Sequence, residues 1–202
     1  MPALGLVVAI AVGYLIGAFP SGVVIGRLAG RDPRDSGSGR TGTTNALRSL
    51  GMRWAAAVAV LDVAKGILAV LAANAIGPEP WAGALAAVAA VIGHVWSVFI
   101  GFRGGRGVAT GAGAMLVLAP LAVLAGVVEL VAIVAATRLV SLGSISASIT
   151  VVLVTGVLYA VGWVGLEAVV AAALIALVVV IAHADNIGRL LSGTERRLGE
   201  RS

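Results

Sequence analysis

Apolar residues dominate this chain in long blocks, and the polar positions are gathered into short stretches between them. A membrane-crossing helix needs about 20 apolar residues. Blocks of that kind run from Ala3 to Leu28, Trp54 to Ile76, Trp81 to Ile100, Ser144 to Val161 and Leu166 to His183. The block from Val108 to Thr137 holds Pro120, Gly126 and Glu129. As one helix it would be about 45 Å long against a hydrocarbon core of about 30 Å. It therefore predicts two helices hinged in the Pro120–Glu129 region, for seven spans in all. Pro20-Ser21 predicts a kink in the first span. The glycines spaced at or near four there (Gly13, Gly17, Gly22, Gly26, Gly30) predict close helix packing. Thr43 or Thr44 is placed to cap a short helix running to Leu50, with Gly51 as its stop. Gly77-Pro78-Glu79-Pro80 reads as a tight turn.

Composition agrees with lipid as the main solvent. The chain has 202 residues, 60% of them hydrophobic and 11% charged, where soluble domains carry about 25% charged residues. Its mean hydropathy is +1.09. Met1 to Ile10 lacks the basic start of a cleaved leader and reads as part of the first span. A single polytopic domain over residues 1–202 is expected, with a tail at about 190–202 that is free to flex.

Charge orients these spans. With seven of them, every basic residue except Lys65 lies at or near one face, which the positive-inside rule makes cytoplasmic. The N-terminus is then outside and the C-terminus inside, and Glu79, Glu129 and Glu167 fall at the three opposite turns. Six spans would put Arg138 and the Arg-rich tail outside.

The longest polar run, Ser36 to Arg48, concentrates the candidate chemistry. Its glycines, hydroxyls, amide and arginines suit an anion: backbone N–H groups are free to converge and cations can neutralise the guest. Gly37-Ser38-Gly39-Arg40-Thr41-Gly42 matches G-x-G-x-x-G, but a dinucleotide site needs a βαβ unit, which has no place between two membrane helices. By itself the run is equally a solvated basic loop. A second loop, Arg103-Gly104-Gly105-Arg106-Gly107, opens a helix on the same face, and the two together favour phosphate binding. Asp62 and Lys65, at i and i+3 inside the second span, are either a mutual ion pair or, for Lys65, a group turned to a polar cavity. Buried singly, each would cost about 2.5–3.5 kcal/mol or more. His94 lies near the cytoplasmic end of the third span, before Trp96. His183, Asp185, Asn186 and Arg189 cluster at the end of the last, and Ser141 follows Arg138 in a short loop on the same side.

Absent patterns narrow the reaction. There is no G-x-S-x-G, Walker A or H-x-x-x-x-D pattern. With two histidines and no cysteine, neither a disulfide framework, a thiol nucleophile nor a metal site is expected.

Taken in order, these motifs resemble those of the acyl-phosphate-dependent glycerol-3-phosphate acyltransferases of bacterial inner membranes, the PlsY family. The first family motif is matched by Ser36-Gly37-Ser38-Gly39-x-x-Gly42-x-Thr44-Asn45-x-x-Arg48, and the second by Asp62-x-x-Lys65-Gly66. The third is matched by Gly93-His94 with Trp96, and by Phe99-x-Gly101-Phe102-x-Gly104-Gly105-x-Gly107-Val108-Ala109-Thr110. Ser141-Leu142-Gly143 and His183-x-Asp185-Asn186-Ile187-x-Arg189-Leu190 match further segments. The resemblance implies an all-α, seven-helix inner-membrane enzyme with its site on the cytoplasmic side. It would move a fatty acyl group from acyl phosphate to the 1-hydroxyl of glycerol 3-phosphate. The products are 1-acylglycerol 3-phosphate and phosphate, at the first step of phospholipid synthesis.

The same resemblance implies an acyl-phosphate site of Ser36, Gly37, Ser38, Gly39, Thr43, Thr44, Asn45, Arg48, Gly104, Gly105, Arg106 and Gly107. Glycerol 3-phosphate falls to Ser141, His183, Asn186, Arg48 and Lys65. Arg106, Arg48, Ser38 and His183 carry the chemistry, with either His183 or the leaving phosphate taking the proton. No cofactor, metal, nucleic acid or second subunit is expected. The chain departs from the family at Arg40, where Asn is usual, and at Arg106, where Lys is usual. A small anion transporter, or a diverged homologue without catalysis, is the alternative. Against transport stands the scarcity of polar midplane residues beyond Asp62 and Lys65, with no paired broken helices.

Overall fold

The structure is a computed structural model and describes residues 2–77 and 79–200. Pro78 of the predicted turn lies outside the described residues. Among the described residues ten α-helices follow one another: α1 (Pro2–Ala18), α2 (Ser21–Leu28), α3 (Thr43–Leu50), α4 (Met52–Ile76), α5 (Pro80–Val95), α6 (Val108–Leu118), α7 (Pro120–Thr137), α8 (Val140–Ala160), α9 (Leu166–Ala182) and α10 (Ala184–Leu191). No strand occurs among the described residues.

Each predicted apolar block is helical over most of its length, but the lengths support fewer than seven crossings. Among the described residues five segments are long and apolar enough: Ala3–Leu28, Met52–Ile76, Pro80–Ile100, Pro120–Thr137 and Val140–Ala160. α9 and α10, bent by 63°, make a sixth if they count as one. α6 has 11 residues, about 16 Å of helix against a core of about 30 Å. The chain is an all-helical integral membrane protein with its aliphatic side chains turned outwards, Leu4, Leu68, Leu124 and Leu153 among them.

Proline sets the breaks inside the first and the longest apolar blocks. Pro20 interrupts the first span between α1 and α2, as predicted. The carbonyls exposed there are taken up by side chains of neighbouring segments: Ser97 Oγ, just after α5, donates to Ala18 O and Lys65 Nζ of α4 to Phe19 O. The second break falls at Ala119, directly before Pro120 at the first position of α7. Gly126 and Glu129 do not break α7, so Glu129 is not at an outer turn as expected. It sits mid-helix, where Ser146 and Thr150 of α8 donate to its carboxylate and replace lost water.

α1 packs on α5 and α4, α4 on α6, and α7 on α8. Gly13 and Gly17 of α1 lie directly on Ala86 and Ala90 of α5, so the glycine stripe is a packing face. Small residues at such crossings let backbones meet and gain dispersion contacts that water exclusion does not supply inside lipid. The largest core cluster joins Val91 and Val95 of α5, Ala114 and Met115 of α6, and Ile175 and Val179 of α9. It holds the start of α6 against the ends of α5 and α9, where the polar loops emerge.

Candidate functional site

Asn45 folds the first polar run around itself. Its Nδ2 donates to Pro33 O at 2.5 Å and Arg40 O at 2.8 Å, and its Oδ1 accepts from Ser38 N at 2.9 Å. It is 3% exposed. Gly37 takes a positive φ of 66°, and a side chain there would overlap the Asn45 amide. α3 is capped by Gly42, not by Thr43 or Thr44, and no side chain completes the cap. Thr43 thus becomes the first helical residue.

The second loop is strapped to the end of α5, with Gly104 N donating to Val95 O at 3.0 Å and Gly105 N to His94 O at 3.2 Å. Gly111 N to Gly107 O is the first bond of α6, so the N–H groups of Val108, Ala109 and Thr110 have no partner within the helix. The two loops meet: a Cβ on Gly42 would sit 3.8 Å from Gly105 Cα.

One cavity of about 340 Å³ lies where they meet. Its polar end is lined by Ser38, Arg40, Thr43, Thr44, Asn45, Arg48, Arg106, Gly107, Ser141, His183, Asn186 and Glu195. From there it runs between α6, α7, α8 and α9 along Met115, Val123, Val127, Leu130, Val151 and Ile175. Ser36, Gly37, Gly39, Gly104 and Gly105 shape the loops behind the lining. Lys65 also stands behind it: the predicted pair with Asp62 forms at 2.9 Å, and the ammonium also meets Phe19 O at 3.0 Å and His94 Nδ1 at 2.7 Å. Ser21 Oγ donates to the same Asp62 oxygen.

Cations and open valences dominate the polar end. Thr43 Oγ1, Arg106 Nε and Asn186 Oδ1 are buried without a hydrogen-bond partner among the described residues. Arg106 Nη2 reaches Asp185 at 2.9 Å, and Asp185 also holds Arg189 at 3.3 Å. Burial lowers the Arg106 guanidinium from its ordinary value, with Asp185 acting against that. Burial also lowers Arg48, with the Arg196 charge adding to the effect. Both remain cations at neutral pH, since arginine starts above 12. His183 is 3% exposed, and its Nδ1–H donates to Val179 O at 2.8 Å. That bond leaves Nε2 as an acceptor. Ser141 lies in the first turn of α8, not in a loop as expected, because α8 already begins at Val140.

Sequence reasoning missed Glu195. After α10, Gly193 at φ 70° turns the tail back over the cavity. Glu195 Oε1 then accepts from Ser141 Oγ at 2.8 Å and Asn186 Nδ2 at 2.6 Å, and Oε2 from Arg189 Nε at 2.8 Å. Burial alone pushes this carboxyl up, but the bonds from Ser141, Arg189 and Asn186 outweigh it and hold the group below its ordinary value. A glycine followed two residues later by an acid in a basic tail was the only signal.

Fold and site together define a membrane-embedded protein that gathers cations and unpartnered polar atoms at the mouth of an apolar groove. The glycerol-3-phosphate acyltransferase family model matches residues 7–193, and the chain belongs to that family. A glycerol-3-phosphate acyltransferase of Synechococcus sp. (strain CC9605) is 53% identical over 73 residues, 36% of each chain. One from Rubrobacter xylanophilus is 44% identical over 85 residues, 41% of this chain and 43% of the relative. The alignments thus span well under half the length of these curated relatives. The crystal structure of PlsY (YgiH), an integral membrane glycerol 3-phosphate acyltransferase, matches far more: its glycerol 3-phosphate form covers 96% of both chains at 35% identity, with TM-score 0.87. Its lysophosphatidic acid form gives 0.86.

Proposed function

We propose that this protein transfers a fatty acyl group from acyl phosphate to the 1-hydroxyl of glycerol 3-phosphate, releasing 1-acylglycerol 3-phosphate and phosphate. The observation that carries this reading is the cavity itself, in which Arg48, Arg106 and the unpartnered Thr43 Oγ1 and Asn186 Oδ1 stand at the head of an apolar groove. Only a ligand that is anionic at one end and aliphatic at the other uses both halves. An acyl phosphate is such a molecule, and so is the lysophospholipid product.

The phosphate of the donor rests on the Gly104–Gly107 turn and the first turn of α6, with Arg106, Arg48 and Ser38 around it, and the acyl chain lies in the apolar groove between α6, α7, α8 and α9. Glycerol 3-phosphate occupies the side formed by Ser141, His183 and Asn186. Acyl phosphate is already activated, so the protein works by holding two anions in line and by meeting the charge that develops on the carbonyl oxygen. The attacking hydroxyl forms the new ester bond as the acyl–phosphate bond breaks. Its proton passes to the leaving phosphate, and His183 Nε2 orients the hydroxyl by accepting its hydrogen bond. Loss of turnover by many orders in His183→Ala with unchanged glycerol 3-phosphate binding would instead make His183 the base.

The protein acts as a monomer in the bacterial inner membrane, with α6 and α9 completing seven crossings, the N-terminus outside and the site facing the cytoplasm. The positive-inside distribution of its arginines supports that orientation. Arg106 is tested by two variants. Arg106→Lys keeps a cation at the turn and retains activity, whereas Arg106→Ala abolishes it; an active alanine variant would remove the role given to this side chain.

A further inference from the structure

His94 has no part in the assignments above, yet it lines the cavity from beneath the glycine turn. We propose that His94 is a neutral donor of the anion site: its Nε2–H hydrogen-bonds the phosphate seated on the Gly104–Gly107 turn, and Lys65 fixes that tautomer from behind. The inference rests on the reading of this turn as the seat of the acyl-phosphate headgroup.

The tautomer follows from counting protons. A lysine ammonium has three N–H donors and no acceptor. Here all three have partners, at Asp62 Oδ1 (2.9 Å), Phe19 O (3.0 Å) and His94 Nδ1 (2.7 Å). His94 Nδ1 must therefore offer its lone pair, and the ring proton sits on Nε2. Asp62 already balances the lysine charge, and a second cation against the ammonium would be repelled. The imidazole accordingly stays neutral. Ser21 Oγ and Lys65 on one Asp62 oxygen hold the network in place.

The donor is aimed at a turn that needs one. Gly104 and Gly105 spend their N–H groups on the carbonyls of Val95 and His94, so neither serves an anion. Arg106 and the first turn of α6 supply donors on one side. On the other, the imidazole lies directly against Gly105, where any side chain would overlap it. Glycine is needed at 105 for that approach, beyond any demand of the loop backbone. His94 touches the ligand and is a binding residue. Lys65 acts through it and is a positioning residue.

The chain has two histidines, so ¹⁵N-histidine labelling gives a spectrum of two rings, assigned with His183→Gln. His94 is expected to carry its proton on Nε2 at neutral pH, and inorganic phosphate should move that Nε2–H resonance. Lys65→Met should give a mixture of tautomers. In the acyltransferase assay, His94→Phe should raise KM for palmitoyl phosphate on the order of ten- to a hundredfold, the loss of one hydrogen bond to a charged group, and leave KM for glycerol 3-phosphate unchanged. His94→Gln, which restores an N–H near Nε2, should recover most of it. A proton on Nδ1, an Nε2–H resonance indifferent to phosphate, or equal rises in both KM values would overturn the proposal. Phosphate affinity in Arg106→Ala separates the two readings: if it falls while His94 stays silent, only the His94 role fails, and if it is unchanged, the turn is not the phosphate seat and both fail.

Discussion

Asn45 illustrates how a residue can be essential to a site by folding it. Polar residues in so apolar a chain have few places to go, which made Arg48, Arg106, His183 and Asn186 legible as a group in the sequence. Whether an amide touches the ligand or the backbone is not encoded in its spacing. Asn45 spends its side chain on Pro33, Arg40 and Ser38. Asn45→Ala should therefore cost about 2–4 kcal/mol, several hydrogen bonds with buried partners left open. The loss is read from thermal unfolding in detergent together with a fall in kcat/KM; an unchanged melting temperature would contradict the scaffolding role. Glu195 escaped sequence reasoning for a different reason, since its partners lie on α8 and α10 and only the turn at Gly193 brings it to them. Its folded-state pKa is depressed, so its contribution to docking the tail is complete above the unfolded value of about 4.3 and is lost as pH falls through the folded value. A spin label introduced by Arg197→Cys should be immobile at neutral pH and gain motion only on acidification below the ordinary carboxylate range. Glu195→Gln should be mobile throughout.

Helices were read more securely than their ends. Hydropathy located every apolar block, and Pro120 located the break in the longest, because a residue without an N–H and with fixed φ starts a helix better than it continues one. An acid in lipid signals a turn only where nothing beside it meets the carboxylate; hydroxyls on α8 meet Glu129 inside the helix pair, so α7 runs on through it. The α4–α6 crossing transmits packing to the site, since Gly66 lies on the Thr110 carbonyl and Gly113 on that of Val63. Gly66→Val should push α6 away, shift the turn at its start, and lower both stability and activity. Gly156→Ala on α8, with nothing within 4 Å of the added methyl, should be neutral or raise stability by up to about 1 kcal/mol. Melting curves of the two variants side by side test whether the crossing or glycine content as such is at stake.

Across the whole molecule, crossings and orientation follow from length and charge in different ways. Length supports five or six spans, because α6 is short and α9 bends into α10. Arginine placement requires an odd number if the loops are to share the cytoplasmic face. The chain has no cysteine, so single cysteines report topology directly. Trp163→Cys should react with a membrane-impermeant maleimide from outside intact cells, and Arg197→Cys only after permeabilisation. Labelling of both from outside would contradict the orientation.

The most direct measurement combines purified protein with palmitoyl phosphate and labelled glycerol 3-phosphate, without metal or nucleotide. Labelled 1-palmitoylglycerol 3-phosphate is expected, with one phosphate released per lipid formed. Binding of both substrates with no lipid product would contradict it.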